Sequence, residues 1–258
     1  MHTIRASVFT LILGMVCLSF SSYAQEAPKR FKFGLMVAPT LNWLSSSNDG
    51  FESRGFTPNL NYGLFADIAF KGHSRYFFST GMTLVSNGGR AHYFGVSEVN
   101  DEQYESSNEV EVRNRYLEVP LGFKLRSEEI GYSVFSGWFG FGTGFRVRSL
   151  QDRETVIFTE SGEKRESVTD EDISDQINPV RLSLLLGLEW ERKISGDTYF
   201  TFGFTLNNGL TNIYNGNSYA RGENGQLDWE TVNADGSANG PKLKATSSTL
   251  ALHLGVYF

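Results

Sequence analysis

Apolar side chains recur at every second position through eight separate stretches of this chain. In residues 31–44 the set is Phe31, Phe33, Leu35, Val37, Leu41 and Trp43. Residues 57–70 carry Leu60, Tyr62, Leu64, Ala66, Ile68 and Phe70 on one face, with Asn59, Asn61, Gly63 and Asp67 on the other. The same alternation marks 75–86 (Tyr76, Phe78, Met82, Leu84) and 113–126 (Leu117, Val119, Leu121, Phe123, Leu125). It continues in 131–148 (Phe135, Phe139, Phe141, Phe145, Val147) and 180–193 (Val180, Leu182, Leu184, Leu186, Leu188, Trp190). The last two stretches are 197–208 (Phe200, Phe202, Phe204, Leu206) and 246–258 (Leu250, Leu252, Leu254, Val256, Phe258). Period two is the pattern of a strand with one apolar face, so each stretch is predicted as a β-strand.

The connections alternate in length. Residues 71–74, 127–130 and 194–196 are tight turns, whereas 45–56, 87–112, 149–179 and 213–245 are long and polar. An even strand count, short turns at one end and long loops at the other define an all-β fold: an eight-stranded antiparallel transmembrane β-barrel with short periplasmic turns and long extracellular loops. A soluble lipocalin-like barrel is the rival architecture, but it would bury its bulky set and wet its outer face. Here the face opposite the bulky set carries Asp67, Glu118, Lys124, Arg146, Arg181, Glu189 and His253, which places charge inside and lipid outside. Spanning the hydrocarbon takes only about nine to eleven residues per strand, so the strands are expected to project beyond the membrane on the loop side. Residues 154–159 and 164–169 flank a turn-forming stretch, and Asp235-Gly236 is a turn dipeptide, so a ten-stranded count stays open.

Residues 1–24 read as a cleaved secretory signal: Arg5, an apolar run over 8–20, and Ser22-Tyr23-Ala24 as the small-x-small site. Residues 25–258 are then the barrel domain. The single cysteine, Cys17, falls in the discarded segment, which excludes disulfides, thiol catalysis and cysteine metal sites from the mature chain. Removing the signal takes away one basic residue, leaving 22 Lys and Arg against 29 Asp and Glu, a net of −7. That balance excludes a basic stripe for nucleic acid. Twenty-one Phe, eleven Tyr and 27 Gly suit aromatic-rich sheet.

The inward charges are expected to neutralise one another as a plug, because an unpaired ion in such an interior is costly. Gly140, Gly142 and Gly144 face inward inside a strand and read as space for large neighbours, not as a phosphate loop. Of three mature histidines, His73 lies in a predicted periplasmic turn, His92 in a loop, and His253 near the inner end of the last strand. None is placed for nucleophile–base chemistry, so no catalytic set, cofactor site or metal site is assigned. Residues 149–179 hold nine Asp and Glu, and 87–112 six more. These read first as a solvated face; divalent cations or a basic partner are the functional alternative, though no calcium-loop spacing is present.

Tyr116-Leu117-Glu118-Val119-Pro120-Leu121-Gly122-Phe123-Lys124 resembles the Y-L-E-[IV]-P-L-x-x-K strand of the PorT-like family of Gram-negative outer-membrane barrels. The final strand, with outward Val256 and Phe258, resembles the C-terminal signal that barrel-insertion machinery reads. The resemblance implies residence in the outer membrane, contact with its lipid, and the barrel-assembly machinery as a partner during insertion. Pro120 lacks a ladder donor, so a bulge or kink is expected there, and Glu118 and Lys124 are expected to pair with neighbouring charges such as Arg146. The function implied is a non-enzymatic barrel presenting acidic surface loops or anchoring an envelope protein assembly. The alternatives are a component of the type IX secretion machinery and, further off, a lipid-modifying barrel enzyme.

Overall fold

A computed structural model describes residues 30–48, 50–221 and 226–258; the predicted signal segment lies outside the described residues. Among the described residues ten strands form: β1 (Phe31–Ser46), β2 (Phe51–Ser53), β3 (Thr57–Ala69), β4 (Tyr76–Val99), β5 (Glu102–Arg126), β6 (Ser133–Thr159), β7 (Gly162–Asp172), β8 (Val180–Ser195), β9 (Thr198–Gly209) and β10 (Ala245–Tyr257). Eight of them close a ring, β1-β3-β4-β5-β6-β8-β9-β10 and back to β1, antiparallel throughout. β2 adds to the upper part of β4, and β7 to the upper part of β6, outside the ring. The eight predicted strands are the ring, and the two extra strands belong to its extensions.

The predicted outer faces are the exposed ones. Leu35, Leu121, Phe141 and Leu188 are 50%, 47%, 60% and 70% exposed. A continuous apolar surface of this kind on a closed sheet is a lipid-facing surface. No helix among the described residues is long and apolar enough to cross a membrane; the strands do the crossing.

One long loop is corrected, and a second forms the hairpin that the turn-flanking stretches 154–159 and 164–169 left open. Residues 87–112 are the continuation of β4 and β5, paired without a register shift to Val99↔Glu102. The turn is Asn100-Asp101, both at positive φ (55° and 65°), as a two-residue hairpin that follows the strand twist requires. Most of 149–179 is likewise the β6–β7 hairpin, turning at Glu160-Ser161. β4, β5 and β6 reach 24, 25 and 27 residues, far more than the membrane requires, so they rise above it as a folded head.

The head has its own core. Leu44, Phe51, Ala91, Val110, Val112, Tyr116, Ile173, Ile177, Ile213 and Tyr214 pack together over the barrel mouth. β4 reaches this core by folding across the mouth at Gly88-Gly89, whose φ angles of 140° and 153° only glycine adopts readily. A Cβ on Gly88 would lie 1.9 Å from the Val112 carbonyl oxygen, and one on Gly89 would lie 2.8 Å from the Leu44 nitrogen. The Gly88 N–H donates to Ser247 Oγ on β10 at 3.2 Å, tying the crossing strand to the far wall.

Pro120 does not create a bulge. Pairing with β6 runs straight through Pro120↔Gly142, while the ladder to β4 is interrupted between Thr80↔Leu121 and Thr83↔Glu118 without a change of register. The missing N–H costs a rung on one side only. The register shift in β5–β6 falls at Arg115/Tyr116, where the two strands leave the barrel.

Candidate functional site: the bore and the head

Two charge clusters fill the bore. In the lower one, β5 brings Lys124 between Asp67 of β3 and Glu189 and Glu191 of β8. Its Nζ lies 2.7 Å from Glu189, 3.0 Å from Asp67 and 3.2 Å from Glu191. Nζ also donates to the Tyr257 hydroxyl at 3.3 Å. Arg126 forks onto Glu191, and Lys32 lies 3.7 Å from the same carboxylate. Three cations face three carboxylates. All of this charge sits at the inner end of the strands, near the short turns.

The upper cluster is built on the family strand. Arg181 of β8 donates to Glu118 of β5 at 3.0 Å, to Asn207 Oδ1 at 2.7 Å and to the Ser247 carbonyl at 2.9 Å. Ser183 and Asn207 complete the Glu118 carboxylate. Glu118 must cross β6 to reach β8, and Gly142 is what lets it pass. A Cβ there would sit 2.6 Å from both Glu118 Cδ and Ser183 Oγ. Both Glu118 oxygens are satisfied, whereas the buried Nε of Arg181 has no hydrogen-bond partner among the described residues.

The remaining family-strand residues have plain roles. Tyr116 is buried in the head core and donates to the Asn178 carbonyl at 3.1 Å. Leu117, Val119 and Leu121 lie on the lipid face, and Pro120 faces the bore. Val256 pairs with Leu35 of β1, and Phe258, 53% exposed, exchanges backbone hydrogen bonds with Phe33.

Two of the inward residues stand apart from both clusters. Arg146 is not a partner of Glu118 or Lys124. It pairs with Tyr116 at the mouth, where its guanidinium donates to the carbonyls of Ser174 and Ile177 and holds a short 3-10 turn. His253 lies over Gly203 with Nδ1 3.4 Å from Thr205 Oγ1, and among the described residues no carboxylate pairs with it. Lys32, Arg126 and Glu191 were absent from the sequence-derived set. Their signal was simple: Glu191 lies two residues beyond Glu189, and Arg126 two beyond Lys124, on the same inward face.

Between the clusters remains a cavity of about 60 Å³, lined among others by Glu118, Lys124, Glu189 and His253. It has room for a few ordered waters and not for a solute path.

The head carries the larger space, a pocket of about 500 Å³. Its floor holds Phe51 stacked on Tyr93, with ring centroids 5.9 Å apart, and Tyr214 edge-on to Phe51 at 5.7 Å. Burial pushes the Tyr93 and Tyr214 hydroxyls above the usual phenol range, so both stay protonated donors. These aromatics sat in stretches that read as polar loops, and only their number there hinted at a core.

The acidic hairpins are cross-paired. Arg113 meets Asp152 and Asp170 at 2.7 and 2.9 Å, and Arg153 meets Glu171 at 3.1 Å. Among the described residues no group of three or more His, Cys, Asp or Glu has metal-site geometry. One Ser–His contact exists on the head: His92 Nε2 lies 2.8 Å from Ser107 Oγ. Burial, then the nearby Arg54 charge, lowers the pKa of His92, and no carboxylate among the described residues pairs with it.

A closed ring with a lipid-facing exterior, a plugged bore and a folded external head defines an outer-membrane barrel. The chain belongs to the outer membrane protein beta-barrel domain family, whose model matches residues 23–215. No curated protein sequence matches it. Solved structures similar to it include Neisserial surface protein A, at 8% identity and TM-score 0.38, covering 90% of this chain and 98% of that one. Ail, the attachment invasion locus protein of Yersinia pestis, is 12% identical with TM-score 0.34 over 89% and 99%. The outer membrane protease OmpT from Escherichia coli is 9% identical with TM-score 0.35 over 92% and 99%.

Proposed function

We propose that this protein is a non-enzymatic, non-conducting outer-membrane barrel that holds a folded, acid-rich binding head at the cell surface, alone or as the anchor of an envelope assembly. The observation that carries this is the division of labour along the barrel axis. The bore is closed by paired charge and by the Gly88-Gly89 crossing, while the head has an apolar core and a pocket of its own. In this reading residues 1–24 direct export and are removed, and the outward Val256 and Phe258 present the last strand to the insertion machinery.

Two measurements test it. The purified chain in a planar lipid bilayer should give no stepwise conductance. A Ser161→Cys variant on intact cells should react with a membrane-impermeant maleimide, since Ser161 is at the tip of the β6–β7 hairpin. Conductance steps, or labelling only after lysis, would overturn the proposal.

The family strand favours a second reading, a part in the type IX secretion machinery. Its polar residues, Tyr116, Glu118 and Lys124, all have packing partners inside this chain, which argues that the motif maintains the fold. An unchanged secreted proteome after gene deletion would remove this second reading.

A further inference from the structure

The head pocket lies well within the range of about 300–1,000 Å³ that small-molecule sites occupy. Its floor and its rim differ in chemistry. The floor offers ring faces and edges from Phe51, Tyr93, Tyr214 and Tyr219. The rim offers the exposed amides of Asn215, Asn217 and Gln176 and the exposed carboxylate of Asp175. Among the described residues the arginine that lines it is Arg153, already bound to Glu171 at 3.1 Å.

Three ligand classes can be weighed against this lining. An anion would need surplus positive charge, and Asp175 offsets Arg153. A wholly apolar ligand would strip water from three amides and a carboxylate without replacing those hydrogen bonds, a loss of free energy at each group. A sugar ring satisfies both surfaces. Its C–H face rests on aromatic rings, and its neighbouring hydroxyls meet planar groups that accept and, in the amides, also donate. The tyrosines suit the boundary because each has an apolar body and a polar tip.

We propose that the head pocket binds the end of a neutral oligosaccharide at the cell surface. This rests on the reading of the head as a surface-exposed binding module. The site is formed where five separated parts of the chain converge: β2, the upper parts of β4 and β6, the 3-10 turn of Ser174–Gln176, and the connection between β9 and β10. It therefore depends on the long strands being folded, and no short peptide from the loops would reproduce it.

Saturation-transfer-difference NMR on the full chain in detergent micelles tests the proposal, with maltotriose, diacetylchitobiose, sialyllactose and a heparin tetrasaccharide as probes. Transfer to maltotriose or diacetylchitobiose is expected. Binding should weaken roughly tenfold or more in the rim variant Asn215→Ala/Asn217→Ala and in the floor variant Tyr93→Ala. The rim variant alters exposed side chains only, so it keeps the test decisive if Tyr93→Ala loosens the head. Absence of transfer to both neutral sugars at millimolar concentration overturns the proposal, as does undiminished transfer in the rim variant. Binding confined to the heparin or sialyl probe overturns it in favour of an anion site. Maleimide labelling of Ser161→Cys on intact cells separates the two levels. A labelled but sugar-blind protein defeats this inference alone, and an unlabelled one defeats the surface-head reading beneath it.

Discussion

Replacing Lys124 by methionine removes one charge while keeping the length of the side chain. Lys124 is 1% exposed and meets three carboxylates within 3.2 Å. Glu191 keeps Arg126 and Lys32 after the change. Asp67 and Glu189 have no other ion-pair partner among the described residues, so two buried carboxylates are stranded. Removing one member of a buried pair costs about 3–5 kcal/mol, a large part of the roughly 5–15 kcal/mol that a folded domain has. Urea titration of the protein refolded into lipid vesicles, followed by tryptophan fluorescence, measures it. The midpoint should fall by an amount equivalent to about 3 kcal/mol or more. The triple variant Lys124→Met/Asp67→Asn/Glu189→Gln, which removes the stranded charges together with their partner, should recover most of the loss. If Lys124→Met lies within about 1 kcal/mol of the parent, the lower cluster does not brace the barrel and the charge-plug argument fails.

Gly142→Val should destabilise the barrel by about 3 kcal/mol in the same titration, because its side chain occupies the path of Glu118 to Arg181; an unchanged midpoint would contradict that path. Tyr214→Ala should cost the head core about 3 kcal/mol or more and expose the head to protease on intact cells, while the folded barrel keeps its altered gel mobility. Equal loss of both would mean that head and barrel are not separable. His92 has its pKa held below 6.5 by burial and by Arg54, so between that lowered value and 6.5 the unfolded chain binds more protons than the folded one. Stability of the β4–β5 extension should therefore fall as pH drops through that window, read as reduced amide-exchange protection around His92; protection that rises on acidification would refute it. A fluorophosphonate probe should leave Ser107 unlabelled despite its contact with His92, and labelling abolished by Ser107→Ala would reopen the case for an enzyme.

The barrel was legible because alternation with period two is a direct consequence of one face meeting lipid and the other a packed interior. That constraint acts on every spanning residue, so Phe31 through Trp43 or Val180 through Trp190 can be read off without knowing any partner. Above the membrane the constraint lapses. Asn87-Gly88-Gly89 looks like a turn, and its glycines in fact carry β4 across the mouth without ending it. Asn100-Asp101, the true turn, lacks the glycine that would have marked it. Arg146 keeps the inward parity, opposite Tyr116, but parity says nothing of partners: at that level it meets the Ser174 and Ile177 carbonyls and no described carboxylate of the bore. The head pocket was invisible because its aromatics come from distant segments and share no local period.

The seam between β1 and β10 joins segments about two hundred positions apart, through pairs from Gly34↔Tyr257 to Ser46↔Ala245. Every other ring contact can form between chain neighbours or near neighbours, but this one waits for the last strand to arrive. Until then the sheet has two open margins, each with a row of unanswered N–H and C=O groups that the membrane interior cannot satisfy. Completion is thus all-or-none with respect to β10: shortening the chain before Ala245 would not weaken the cylinder gradually but leave a curled ribbon with sticky sides, prone to pair with whatever strand it meets.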